Sequence, residues 1–283
     1  FIMLLILGKH ALESEVGLFA VVSSLVAYSA QVLGLEFHYY IVRQVQRNRE
    51  GDVSLLIRDQ MIFHVVTYII LLPILFMVLE RYVGTALIFL LLVLIFFEQI
   101  SQEMFRILTA LQHPVKATVV FFLRTTPWMI YISYFVYGSV DSYFIAEALY
   151  YWLASVFLSV VVSLFYLKKM IGREIFFTKI NIPWIVKGIK LSLPFIVSSI
   201  SFGLFFVVDK LILIEMVGEE MVGIYYILLS LAIGHYTLVQ FSVGIYYGPV
   251  ILQAFYDKSG DDFRKIRSIG NGKTIKIATI LLL

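Results

Sequence analysis

The feature that most constrains this chain is a succession of apolar runs, each long enough to cross a bilayer, separated by short polar turns. About 20 mostly apolar residues cover the roughly 30 Å of hydrocarbon, and within it each backbone amide must find its partner inside the helix. Such runs lie near Val16 to Val42, Met61 to Leu79, Tyr82 to Leu111, Val115 to Tyr137, Tyr143 to Leu167, Ile185 to Val217 and Met221 to about Tyr247, the sixth interrupted at Pro194. Apolar stubs at Phe1 to Leu7 and Thr274 to Leu283 read as partial helices. The sequence therefore predicts an all-α membrane protein, a multi-span helical bundle. A membrane barrel is excluded, because the runs are too long and lack period-two alternation. Composition agrees: 61% of the 283 residues are apolar or aromatic and 14% are charged, against roughly 45–50% and about 25% in a soluble domain.

The placement of charge orients the bundle. Basic residues gather in alternate connections, Arg43 to Arg58, Arg106 and Lys116, Lys168 to Lys190, and Lys258 to Lys276, whereas the opposite connections hold only Lys9 and Arg81. The basic side is expected to face the cytoplasm. The other side has turns too short to build a domain, such as Glu80–Arg81 and Gly218 to Glu220. The longest basic connection, residues 168 to 184, alternates Lys with Met170, Ile171, Ile175, Phe176 and Phe177 and reads as an amphipathic segment at the headgroup boundary. Phe1 to Leu7 has no basic leader and no cleavage site, so it reads as the tail of a truncated span.

A repeat runs through these spans. Glu15-Val16-Gly17-Leu18-Phe19, with Ser24-Leu25 downstream, returns as Met221-Val222-Gly223-Ile224-Tyr225 with Ser230-Leu231, at an offset of 206 residues. Acidic residues open both copies, Glu13 and Glu15 in one, Glu219 and Glu220 in the other. Six helices separate them, an even number, so both enter the membrane in the same direction. Parallel repeats of that kind imply two lobes related by an axis along the membrane normal. They divide the chain into an N-terminal lobe over 1–167, a connection over 168–184 and the opening of a C-terminal lobe over 185–283. The offset implies roughly 90 further residues after Leu283 and about 20 before Phe1.

Asp209-Lys210-Leu211-Ile212-Leu213 through Gly218-Glu219-Glu220-Met221-Val222-Gly223-Ile224-Tyr225 resembles the seventh-to-eighth helix signature of the Wzx-type polysaccharide flippases, members of the multidrug/oligosaccharidyl-lipid/polysaccharide exporter superfamily. Glu15-Val16-Gly17-Leu18-Phe19 resembles the first-to-second helix connection of the same family. The resemblance implies a MATE-like two-lobe transporter in the bacterial cytoplasmic membrane that flips an undecaprenyl-diphosphate-linked oligosaccharide. Its implied partners are that glycan lipid, the bilayer, and polysaccharide polymerase and glycosyltransferases. A drug or cation antiporter and a peptidoglycan-precursor flippase are the alternatives within the superfamily.

Charges inside spans cost at least about 2.5–3.5 kcal/mol each on insertion scales and mark function by default. Glu98, Gln99, Gln102, Glu103, Arg106 and Thr109 fall within one arc of about 140° on the fourth span. This stripe is either a cavity wall or a buried hydrogen-bond network. Glu103 and Arg124 lie at equal depth across the His113–Pro114 turn and are expected to pair, unless Arg124 is left to bind a substrate diphosphate. Thr125-Thr126-Pro127 is expected to bend that span, and Pro194 to supply a hinge. Asp209 and Lys210, pointing about 100° apart, are not expected to neutralise each other; Lys210 either faces the cavity or snorkels outward. The substrate-binding set is thus Arg124, Lys210, Glu98, Glu103, Asp209, Gln102 and Arg106. Small residues on the eighth span (Ser230, Gly234, Thr237, Gly244, Gly248) read as helix packing. His64 and His235 read as packed, Glu36 and His38 as reaching interfacial water, and Trp128, Trp152 and Trp184 as interface anchors.

No catalytic constellation is legible, and the spacing names no metal site or cofactor. With Cys 0, thiolate-based centres are excluded outright. An enzyme such as a membrane glycan polymerase needs larger outer loops than these.

Overall fold

The computed structural model describes residues 2–47, 53–138, 144–168 and 178–239, together with residues 264, 268 and 272. The elements of these segments are helices: α1 (Ile2–His10), α2 (Glu13–Gly34), α3 (His38–Arg47), α4 (Val53–Tyr82), α5 (Thr85–Ala110), α6 (Pro114–Gly138), α7 (Phe144–Leu167), α8 (Ile182–Val217) and α9 (Glu219–Val239). Five carry stretches long and apolar enough to cross a membrane, namely α2, α4, α5 from Leu87, α7 from Ile145, and α8. They make this a multi-pass membrane protein. Two compact units divide the chain, residues 6–223 and residues 1–5 with 224–283. The amphipathic stretch from Met170 to Phe177, the end of the eighth span with Gly244 and Gly248, the side chains of His235 and Thr237, and the stub from Thr274 lie outside the described residues.

Two of the expected runs differ in continuity from the sequence expectation. The run from Val16 to Val42 is not one helix: α2 stops at Gly34, Leu35 and Glu36 take positive φ (43° and 49°), and α3 starts afresh at His38. Leu35 closes α2 in the left-handed conformation with its N–H on the Val32 carbonyl, a helix-ending geometry that hydropathy does not register. Conversely, α8 runs unbroken through Pro194 for 36 residues. Proline removes one ladder bond, which a long, packed helix tolerates. In α6 the Thr125 hydroxyl donates to the Phe121 carbonyl just ahead of Pro127. The α5–α6 turn is sharp because Gln112 adopts φ 59° while its N–H and that of His113 reach Thr109 and Leu108 carbonyls, satisfying the last acceptors of α5.

At the centre stands α5, packed against α2, α3, α4, α6 and α7. Its Leu91, Leu94, Ile95, Ile107 and Leu108 are wholly buried. The α5–α7 seam is close because Ser155, Ser159 and Ser163 line one face of α7. Ser159 meets Ser101 Oγ at 2.6 Å. Small side chains let membrane helices approach, and their hydroxyls join the seam. A leucine at 159 would hold the two helices apart. In contrast α4 and α8 expose apolar side chains, including Ile69, Ile70, Met77, Val197 and Phe205, as suits surfaces facing lipid.

The two repeat copies meet. A methyl group on Gly17 would strike the Glu219 carbonyl, and one on Gly223 would strike the Glu13 carbonyl. Gly17 and Gly223 are equivalent under the 206-residue offset, as are Glu13 and Glu219, which begin α2 and α9. Each copy thus offers the same glycine to the same carbonyl of the other, the self-complementary pattern of a two-fold contact.

On the basic face, Arg58 and Asp59 fasten α4 to the beginning of α8. Asp59 Oδ1 accepts from Arg58 Nε and Nη2 at 2.9 and 2.7 Å, and its Oδ2 accepts from the Asn181 amide at 3.1 Å. Arg58 also donates to the Thr178 and Lys179 carbonyls. Asn181 in turn accepts from the Trp184 amide, so the clasp sets the N-cap from which α8 grows.

Candidate functional site

The polar stripe of α5 resolves into two carboxylate centres. Five residues separate Glu98 from Glu103, about 140° around the helix, so the two side chains meet different neighbours.

Glu103 is completely buried and faces α4. Its Oε1 accepts from Arg106 Nη1 at 2.6 Å and Gln99 Nε2 at 3.2 Å, its Oε2 from Gln60 Nε2 at 2.6 Å, and His64 Nε2 lies 3.8 Å away. Four neighbours from two helices therefore surround one carboxylate. Gln99 itself lies over Gly34, where any side chain would displace it. Glu36 and His38 sit beside this centre rather than in interfacial water: Glu36 is buried and its Oε2 is 3.3 Å from His38 Nδ1.

Glu98 faces α6 and α7. Gln102 Nε2 donates to its Oε1 at 3.2 Å and Trp152 Nε1 to its Oε2 at 3.4 Å. Arg124 pairs here, Nε to Glu98 Oε1 at 3.6 Å, and not with Glu103. Equal depth was the wrong criterion, because the rotation of α5 turns Glu103 away from α6. The pair is loose: Arg124 Nε is buried without a hydrogen-bond partner, as is Trp128 Nε1 one turn further along α6. The Arg124 guanidinium lies 5.2 Å from the centre of the Phe121 ring. Trp128 and Trp152 are not interface anchors. They stack at 4.7 Å with planes 13° apart, both buried at the level of the charges, where a flat apolar lid strengthens any ion pair beneath it.

The third group is on α8. Lys210 Nζ lies 3.5 Å from Asp209 Oδ1, which also accepts from the Lys210 amide at 2.7 Å. Adjacent residues do pair here, contrary to expectation, because the long lysine stem bends back along the helix. Lys210 is 4% exposed and so does not snorkel.

The sequence thus singled out Glu98, Gln102, Glu103, Arg106, Arg124, Asp209 and Lys210, and the structure sorts them into these three groups. Gln60, His64 and Trp152 complete the first two and were missed. The signal was there for Gln60 and His64, two polar residues at i and i+4 where an apolar span begins. A cavity of about 430 Å³ opens at the non-basic ends of α2, α5, α7 and α9, lined by Ser14, Glu15, Leu87, Ile145 and Glu219 among others. A smaller one, about 110 Å³, lies between α3 and α8 beside Arg43, Gln44 and Ser192. Among the described residues no cluster of three or more His, Asp or Glu side chains is placed to hold a metal ion. Compared with known proteins, the chain matches no family model, no curated protein and no solved structure.

Proposed function

We propose that this chain forms part of a transporter that flips a polyprenyl-diphosphate-linked oligosaccharide across the bacterial cytoplasmic membrane for surface polysaccharide synthesis. The observation that carries this reading is the reciprocal contact of Gly17 with Glu219 and of Gly223 with Glu13. Two equivalent helix starts that close on each other are what a duplicated six-helix lobe provides at one mouth of an alternating-access protein. Buried cations supply the second support. Arg124 keeps its Nε without a partner, and a diphosphate oxygen offers the acceptor that Glu98 at 3.6 Å does not. In this reading Arg124 and Lys210 hold the diphosphate, Glu98, Gln102, Glu103, Arg106 and Asp209 balance charge and position the head group, and the prenyl tail stays in lipid. No chemical bond is made or broken. The two access states differ in affinity for the glycan lipid, and that difference drives the exchange between them.

Deleting the gene in its host should remove the surface glycan and leave lipid-linked repeat units on the inner leaflet. Complementation with Arg124→Ala or Lys210→Ala should restore about a tenth of the glycan or less at normal protein level, the loss expected for one charged contact of about 1.5–3 kcal/mol. An unchanged surface glycan after deletion overturns the reading. Drug sensitivity on deletion points instead to an antiporter, and lethality with arrested wall synthesis to a peptidoglycan-precursor flippase.

A further inference from the structure

We propose that His64 is a proton-binding site whose occupancy is set, through Glu103, by an anion engaging Arg106. The identity of the anion, a lipid diphosphate that meets the exposed Arg106 on its way to Arg124 and Lys210, rests on the function proposed above. The proton site rests on the geometry of α4 and α5 alone.

Two nitrogens face each other in this cluster. His64 Nε2 is 3.2 Å from Gln60 Nε2. The Gln60 amide cannot be turned over, because its nitrogen donates to Glu103 Oε2 at 2.6 Å and the flipped amide would set oxygen against carboxylate. Gln60 is therefore the donor and His64 Nε2 the acceptor. With Nε2 accepting, the ring carries its proton on Nδ1, which is buried with no hydrogen-bond partner. Nε2 itself is 3.8 Å from Glu103 Oε2, close enough for a proton bound to it to feel the negative charge.

What keeps that place empty is Arg106. Its guanidinium already matches Glu103 at 2.6 Å, and a second cation would be excess. Three other groups complete the electrostatic setting: His38 at the start of α3, which feels Arg106, Glu103 and His64, Glu36 beside it, and the uncharged amide of Gln99 on Glu103. Exposure separates the partners. The Arg106 side chain is 27% exposed, whereas those of Glu103 and His64 are 0% and 1% exposed. An anion arriving from the basic face reaches Arg106 first. Once phosphate oxygens take its donors, Glu103 holds an unmatched charge where water does not reach. A proton from water, bonding to the Nε2 lone pair, restores the balance. Within the protein only the Gln60-to-His64 hydrogen bond is given up, and the proton leaves when the anion does. Because such linkage is reciprocal, the proton in turn favours the anion.

Nuclear magnetic resonance of the ¹⁵N-histidine-labelled full chain in nanodiscs tests this, with the His64 signals identified by their loss in His64→Gln. At pH 7 without ligand His64 should be neutral with its proton on Nδ1. Undecaprenyl diphosphate in the nanodisc should raise the ratio of doubly protonated to neutral His64 about tenfold, as expected for a nearby charge that loses its partner. Arg106→Gln should give the same rise with no lipid added, Arg106→Lys should not, and Glu103→Gln should abolish the rise. A proton found on Nε2 at pH 7, or a ratio that neither Arg106→Gln nor Glu103→Gln moves, overturns the proton site. If the variants behave as stated and the lipid does nothing, the linkage of the proton to a lipid diphosphate at Arg106 is overturned, whereas the flippase reading falls only if deletion leaves the surface glycan unchanged.

Discussion

Glu98 and Glu103 share one helix and one chemistry, and differ in how completely their neighbours answer them. Glu103 receives three hydrogen bonds, two of them at 2.6 Å, and has no exposure at all. Glu98 has a cation at 3.6 Å, an indole at 3.4 Å and an amide at 3.2 Å, under a lid of two tryptophans. A carboxylate closed by short bonds stays answered until a competing ligand draws off its cation, whereas one with long bonds and a partner holding an idle donor offers that partner from the start. Burial alone does not distinguish the two, since both are nearly inaccessible.

Four substitutions put that difference under strain. Glu103→Leu should be the most damaging, leaving Arg106, Gln60 and His64 without their acceptor, and should cost about 3–5 kcal/mol in equilibrium unfolding from detergent. Next, Arg106→Gln should cost about 2 kcal/mol, because Glu103 loses a charged donor at 2.6 Å and a proton on His64 answers it only from 3.8 Å. Arg124→Gln, measured alongside it, should cost no more than about 1 kcal/mol, since it removes a buried charge already poorly satisfied. Equal costs for these two variants would erase the distinction between the centres. The smallest effect, roughly 0.5 kcal/mol or less, is expected for Trp152→Phe, which keeps the ring stack and loses one long hydrogen bond.

Much of this was legible beforehand, and the exceptions share a cause. Apolar run length found most spans, and helical periodicity brought Glu98 to Arg106 onto one stripe. The same periodicity could not say which neighbour each side chain meets, because that depends on how α4, α6 and α7 are rotated against α5. Hence Glu103 was paired with Arg124 when Gln60 and Arg106 claim it. The break at Leu35 and Glu36 was hidden for another reason: it is a backbone event at residues whose types favour helix, in a stretch hydrophobic enough to look continuous. Pro194 misled in the opposite direction, since a residue that breaks a short helix in water is absorbed by a long one in a bundle. Trp128 and Trp152 were assigned by type, and their stacked rings lie instead beside the Glu98 carboxylate.

The clasp on the basic face bears on how the chain is made. Arg58 and Asp59 leave the ribosome more than a hundred residues ahead of Thr178, Lys179 and Asn181, the backbone they eventually hold. At roughly 5–20 residues per second, several seconds pass in which the foot of α4 has no partner for its carboxylate beyond its own neighbouring arginine. Every intervening helix must be threaded before the latch can shut. A closed Asp59–Asn181 contact is therefore a record that the helices between them have found their places, and until they do Asp59 has no Asn181 to hold.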